Sequence, residues 1–330
     1  MCLYEALSLT IEVDTVKRAE ALQTAEAALH QAGFQISRKC TTRNSCFNFA
    51  ARRDERLVFI KAFLDIRDVS RSDATEIKRV SRCFSCASLF ISDMKDEEML
   101  RDDTVYSRYG VYVITSKTLE DIVLRGALPL VKAAPGGYSV KIDGGKIIER
   151  RHEVGLSIGK LAEMIGVSRR SLYGYERNMA RASVTAAYHL EKILGVPIVK
   201  TIDIFEPPSR SATIRTLSLS SFMKIKNRFL RSILGKLVNC GFDVSPVSRA
   251  PFDFTADCPD VQLKILGGVF SKRERSVGDR IEEIVSLSRI IEAKPLLVGE
   301  QKTSTPEDVA FLSSDELDRI GNRKDLTALF

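Results

Sequence analysis

The sequence predicts an α/β and all-α composite, in which two α/β segments flank a small helical segment. Three observations predict it: two turn-rich breaks, one order of elements that occurs twice, and a helical period between the breaks. The breaks are AAPGGYS at 133 to 139, with Pro135, Gly136 and Gly137, and EPPSRSAT at 206 to 213, with Pro207 and Pro208. They divide the chain into domains at 1–135, 136–206 and 207–330.

The first segment opens on AEALQTAEAALHQAG, where Ala21, Leu22, Ala25, Ala28 and Leu29 recur at helical spacing up to Gly33. CFNFAA at 46 and LVFIKAFL at 57 read as strands, SDATEIKRVSRCFS as a helix, ASLFIS and VYVIT as strands, and SKTLEDIVLRG as a closing helix.

In the middle segment KIIERRHEV reads as a first helix. A second runs from Ser157 through Met164, with Leu161, Ala162 and Ile165 inward. Gly166-Val167 makes a turn, and a third helix follows Ser168 with Leu172 and Tyr175 inward. A fourth, VTAAYHLEKILG, closes a small core with Ala186, Leu190, Ile193 and Leu194. This is helix-turn-helix spacing.

The third segment follows the order of the first. NRFLRSILGKLVNCGFDVS lies over ALQTAEAALHQAGFQIS, PFDFTA over CFNFAA, VQLKIL over VFIKAF, RIEEIVSLSRII over a helix of similar length, PLLVGE over SLFISD, and AFLSSDELDRIG over VITSKTLEDIVL. A duplication is expected, with the helical segment inserted between the copies.

At 330 residues and 44% hydrophobic content the chain can bury two or three ordinary cores. No apolar run nears the roughly 20 residues of a membrane span, and MCLYEALSLTIEVD lacks the order of a signal peptide. A cytoplasmic protein without a membrane partner is expected. The seven irregularly spaced cysteines suit a reduced compartment. Residues 139–200 hold eleven Lys or Arg against six Asp or Glu, most of the net charge of +7, which points to an anionic partner.

The middle segment resembles the lambda-repressor and Cro family through Leu161-Ala162, Gly166-Val167, Ser168-Arg169-Arg170-Ser171 and Tyr175-Glu176. The resemblance implies that the third helix enters the major groove of double-stranded DNA with Ser168, Arg169, Arg170 and Ser171 toward the bases. Paired guanidinium donors suit guanine O6 and N7, and Ser168 a phosphate. Ser157, Lys160, Tyr173 and Arg177 complete the expected DNA-binding set. Ile158 and Gly174 depart from the family pattern, Gly174 standing where a polar base reader is found. Such modules pair on inverted repeats, so a homodimer is expected.

In the third segment, alternation puts Asp253, Gln262 and Lys264 on one polar face. This resembles the restriction-endonuclease and Holliday-junction-resolvase fold, whose acids hold Mg²⁺ and whose lysine steadies developing charge. The acid-free helix FMKIKNRFLRSILGKLVNC and the first copy's Asn48, Phe59 and Lys61 argue against cleavage. No catalytic residue, metal or cofactor is therefore expected, with Asp253, Gln262 and Lys264 as weak catalytic candidates. Lys224, Lys226, Arg228, Arg231 and Lys236 are candidate phosphate contacts.

Cys83-Phe-Ser-Cys86 has no second pair, and His30, His152 and His189 are scattered. The whole layout looks like a family of archaeal helix-turn-helix transcriptional regulators, which implies a sequence-specific DNA-binding regulator and not an enzyme. The alternatives are a metal-dependent DNA nuclease or junction resolvase, and a non-enzymatic DNA-repair or chromatin adaptor. Neither an operator nor an effector can be read from the residues.

Overall fold

A computed structural model describes residues 18–134, 136–207, 225–271, 274, 276–299 and 309–330. Pro135, the stretch from Pro208 to Thr213 in the second break, Lys224, Glu300 and the N-terminal MCLYEALSLTIEVD lie outside the described residues.

Residues 18–31 form α1, which buries Ala21, Ala25, Ala28 and Leu29. β1 (Gln35–Ile36), β2 (Phe49–Arg53) and β3 (Arg56–Ala62) pair antiparallel in sequence order. α2 (Arg71–Cys83) starts at Ser70, whose hydroxyl accepts from Asp73 N–H, and leads to β4 (Ala87–Ile91). A small hairpin, β5 (Met94–Lys95) and β6 (Glu98–Met99), precedes the antiparallel pair β7 (Thr104–Arg108) and β8 (Val111–Ile114). α3 (Ser116–Arg125) ends at left-handed Gly126.

The first break is not a linker. Gly136-Gly137 lies at the turn between β9 (Val131–Ala134) and β10 (Gly137–Ile142), an antiparallel hairpin whose β9 edge runs parallel to β7. The helical segment follows as α4 (Gly144–Glu153), α5 (Ile158–Ile165), α6 (Arg169–Glu176), β11 (Ala182–Ser183), α7 (Val184–Leu194) and β12 (Val199–Lys200). Both β11 and β12 pair with β10. Gly166 at φ 74° supplies the left-handed turn between α5 and α6. Leu161, Ala162, Ile165, Leu172, Tyr175, Ala186, Leu190 and Leu194 are buried together with Val140 and Ile142 of β10. The hairpin is thus part of the helix-turn-helix core.

In the last stretch α8 (Arg228–Asn239) leads to a five-stranded sheet in sequence order, β13 (Asp243–Pro246), β14 (Phe254–Cys258), β15 (Leu263–Phe270), β16 (Lys294–Gly299) and β17 (Ala310–Ser313). The first two pairings are antiparallel and the last two parallel. α9 (Val277–Ile291) crosses between β15 and β16, and α10 (Ser314–Arg319) and α11 (Arg323–Thr327) close the segment. Ile233, Leu234, Leu237, Phe254, Ile265 and Leu296 anchor its core.

Contacts divide the chain into two units that cut across the three sequence segments. One holds 1–28, 63–68 and 90–204, the other 29–62, 69–89 and 205–330. Within the second unit the two α/β stretches interlock almost reciprocally. Phe47 meets Phe252 at 6.4 Å between ring centroids, and Cys46 N–H donates to Arg249 O at 2.9 Å. The loop after β1 binds α9, with Thr41 and Thr42 donating to Glu283 at 2.6 to 3.1 Å. The loop after β13 binds α2, with Ser248 donating to Glu76 at 3.3 Å and Arg249 to Asp73 at 2.7 Å.

Equivalent hydrogen bonds fix how the two stretches superpose. Asn48 Oδ1 accepts from Ala62 N–H at 2.9 Å, and Asp253 Oδ2 accepts from Val269 N–H at 2.6 Å. Asn48 N–H donates to Ile60 O, and Asp253 N–H to Gly267 O. Asp253 therefore stands where Asn48 does, as the sequence overlay expects, but Gly268 and not Lys264 stands where Lys61 does.

Candidate nucleic-acid interface

Two serine caps set the local geometry of the helix-turn-helix. Ser157 accepts from Lys160 N–H at 3.1 Å and Ser168 from Ser171 N–H at 3.0 Å, each starting a helix whose first turn is otherwise short of acceptors. Ser168 and Ser171 also share a hydroxyl hydrogen bond of 2.9 Å, so the Ser168 hydroxyl is first a cap.

Arg169 and Arg170 follow on the exposed first turn of α6, and neither forms an ion pair among the described residues. The Arg169 guanidinium lies against α5, since a Cβ placed on Gly159 would stand 2.7 Å from its Nε. Tyr173 is 46% exposed, and the Arg177 guanidinium sits 5.3 Å from its ring centroid. Lys160 pairs with Glu163 at 3.2 Å on an open surface, a contact that holds it only weakly. Ser157, Lys160, Ser168, Arg169, Arg170, Tyr173 and Arg177 are all exposed, and Ser171 is partly so.

Gly174 is a correction. It is buried, with Ala180 Cβ 3.5 Å from where its own Cβ would be, so no base reader is missing from the outer face there. Behind α6, Arg151 Nε donates to Glu176 Oε1 at 2.6 Å and Arg151 Nη1 to Leu156 O at 2.9 Å. Both side chains of this ion pair are nearly enclosed, at 11% and 5% exposure. The sequence offered Tyr175-Glu176 only as a motif; Glu176 points inward and fixes the helix from behind.

The third-segment candidates do not converge. Pro259–Val261 forms a 3₁₀ turn, Gln262 follows in the left-handed region at φ 52°, and β15 runs on to Phe270. Lys264 consequently faces Asp257 across the ladder, whereas Asp253 precedes the Phe254–Gly267 pair and its N–H donates to Gly267 O at 2.8 Å. The expected strand VQLKIL stops at Leu266, whereas β15 continues through Gly267-Gly268, where the Phe254 ring takes the space of a Gly267 side chain.

Asp253 itself is saturated by cations. Its Oδ1 accepts from Arg43 Nη1 at 2.7 Å, and its Oδ2 accepts from Arg280, a fully buried guanidinium that also binds both oxygens of Glu274 at 2.9 to 3.0 Å. In the first stretch, Lys61 Nζ donates to Asp73 Oδ1 at 2.8 Å, and Arg249 binds the same oxygen at 2.7 Å. Burial works to raise the Asp73 pKa, but hydrogen bonds from Lys61 and Ser70 and the Lys61 and Arg249 charges hold it below the usual carboxylate range. A divalent cation needs several free oxygen ligands. These residues do not fit one, because guanidinium groups already fill the places around each acid. Among the described residues no group of three metal-ligating side chains forms.

The other candidates are dispersed. Lys236 is held by Leu317 O at 2.9 Å and Asp318 at 2.6 Å, and Arg231 Nε donates to Ile225 O at 3.2 Å, so these two are committed within the last stretch. Lys226 and Arg228 are exposed. Cys83 donates to Arg79 O at 3.4 Å while Cys86 is buried, which suits packing. Among the described residues no helix is long and apolar enough to cross a membrane.

Comparison with known proteins places two kinds of domain in the chain. Residues 18–129 match a PD-(D/E)XK superfamily domain, and residues 147–200 a helix-turn-helix. A provisionally named helix-turn-helix-type transcriptional regulatory protein of Pyrococcus furiosus is 32% identical over 89% of this chain and 91% of its own length. The chain belongs to this archaeal helix-turn-helix-type regulatory family. Members named in the same way from Methanococcoides burtonii and Methanocaldococcus jannaschii are 32% and 33% identical, over 91% and 86% of the chain and 93% and 87% of their own lengths. No solved structure matches the chain. Within the family assignment, the recognised helix-turn-helix spans α5 and α6 with their serine caps, and the PD-(D/E)XK match covers the stretch that contains Asn48, Lys61 and Asp73.

Proposed function

We propose that the chain is a sequence-specific DNA-binding transcriptional regulator that inserts α6 into the major groove of double-stranded DNA. One observation carries this reading. Arg169 and Arg170 occupy the exposed first turn of a helix that is capped by Ser168 and anchored from behind by the Arg151–Glu176 pair. A guanidinium placed so can donate two hydrogen bonds to guanine, worth ~1–3 kcal/mol of discrimination per base. Ser157, Lys160, Tyr173 and Arg177 serve phosphates and set register. A homodimer on an inverted repeat supplies the contact area that one recognition helix lacks.

The segment 207–330 is read as a second, degenerate restriction-endonuclease-like copy, and 1–135 as the first, with the helix-turn-helix domain at 136–206 between them. The common strand order and the Asn48 and Asp253 hydrogen bonds support this. The PD-(D/E)XK match favours a second reading, a metal-dependent nuclease. The arginines bound to Asp73 and Asp253 weigh against it and favour a non-enzymatic scaffold. Selection of bound duplexes from a random DNA pool tests the regulator reading, which expects one enriched motif with inverted half-sites. Retention of all sequences alike contradicts it and favours an adaptor.

A further inference from the structure

The sheet that joins the helix-turn-helix core carries two cations with no acid beside them. Register puts Lys132 opposite Val105 on β7 and opposite Ser139 on β10, and Tyr112 opposite Ser107, so Lys132, Ser139 and Tyr112 share one sheet face. Lys132 Nζ lies 5.0 Å from the Tyr112 ring centroid. Arg181, in the loop after α6, donates from Nε to Ser139 Oγ at 3.3 Å, and the Ser139 hydroxyl donates to Lys132 O at 3.3 Å. Arg181 Nη2 is buried with no hydrogen-bond partner. Neither cation pairs with a carboxylate among the described residues.

Such an arrangement is costly as it stands. Burial and then the Arg181 charge push the Lys132 ammonium below its usual pKa, and burial does the same to Arg181. An anion beside the two would offset both effects. Lys132, Arg181 and Tyr112 offer ammonium, guanidinium and phenol donors and no charged acceptor, and Ser139 holds the Arg181 guanidinium in place. That is the chemistry of a phosphate site.

We infer that Lys132, Arg181 and Tyr112, with Ser139 positioning the Arg181 guanidinium, form a phosphate-binding site that seats a backbone phosphate of the bound duplex, outside the recognition helix. The DNA source rests on the function proposed above; the phosphate chemistry does not. Strand β9, which lies outside the matched helix-turn-helix at 147–200, thereby supplies a contact of its own.

The test uses the full chain and the variants Lys132→Gln, Arg181→Gln and Lys132→Arg, with thermal melting in chloride as the control for folding. In one arm, fluorescence anisotropy follows binding to a selected and a random duplex between about 50 and 200 mM salt. Each Gln variant should weaken both duplexes by the same factor and lower the slope of log K against log salt by about 0.9 for each phosphate no longer neutralised, whereas Lys132→Arg keeps the slope. In the other arm, inorganic phosphate replaces chloride at constant ionic strength, and a rise in melting temperature that disappears in Lys132→Gln is expected. If the wild type binds DNA but its slope matches those of the Gln variants, and phosphate shifts nothing, the site is refuted. If the wild type binds no DNA, the regulator reading fails; a phosphate shift that vanishes in Lys132→Gln then still supports the site for a free phosphate ester, and no shift overturns it.

Discussion

Arg151 and Glu176 form a buried ion pair, 2.6 Å between Nε and Oε1, which ties α4 to the last turn of α6. Removing one partner leaves the other charged and enclosed. Glu176→Ala should therefore lower stability by about 3–5 kcal/mol, read from urea unfolding. DNA affinity should fall on every sequence while the preferred motif stays the same. A change of motif instead would mean that Glu176 takes part in base reading.

Asp73 gives the second unit an acid-sensitive lock. Its folded pKa lies below the unfolded value, so between the two the native state binds fewer protons and stability rises with pH. The contribution is complete above the unfolded carboxylate value of about 3.9 and is lost as pH falls through the folded one. In urea unfolding from pH 7 to pH 2.5, wild type should exceed Asp73→Asn at neutral pH, with the gap closing at the acid end. A constant gap over the whole range would remove this role.

Thiol reactivity should separate the cysteines. Burial, followed by the Glu76 charge, pushes Cys46 up to about 12, and burial raises Cys86 and Cys40 well above the ordinary range. The thiolate is the nucleophile, so these three should resist iodoacetamide in the native chain at pH 8. Among the cysteines of the described residues, partly exposed Cys83 should label first, as peptide mass mapping can show.

The helix-turn-helix was readable because its rules are local. Ser157 and Ser168 cap, Gly166 turns, and Leu161, Ala162, Ile165, Leu172 and Tyr175 recur at the helical period and are buried. The strands around Asp253 were misplaced by the same reliance on local signals. The expected strand VQLKIL stops at Leu266, but β15 runs on through Gly267-Gly268, where Phe254 and Ile284 occupy the volumes that side chains would need. The β9–β10 hairpin was hidden behind Gly136-Gly137, and Arg43, Arg249 and Arg280 meet their acids only through long-range packing. Nothing in single-sequence spacing encodes those pairings. Lys132 and Arg181 likewise lie 49 positions apart and are linked through Ser139, by strand register on one side and a side-chain hydrogen bond on the other.

Magnesium should find no site at Asp253. With Asp253 bound by Arg43 and Arg280, millimolar Mg²⁺ or Mn²⁺ should leave the melting temperature and duplex or branched DNA unchanged, and Asp253→Ala should alter neither result with metal. Metal-dependent cutting that Asp253→Ala abolishes would instead establish the nuclease reading.

The most direct test of the account compares the affinities of wild type, Arg169→Ala, Arg170→Ala and Lys160→Ala for a selected and a random duplex at one salt concentration. Each arginine variant should lose about 1–3 kcal/mol on the selected duplex and far less on the random one, narrowing the ratio between them. Lys160→Ala should weaken both equally. Equal losses on both duplexes in the arginine variants would contradict base reading by α6.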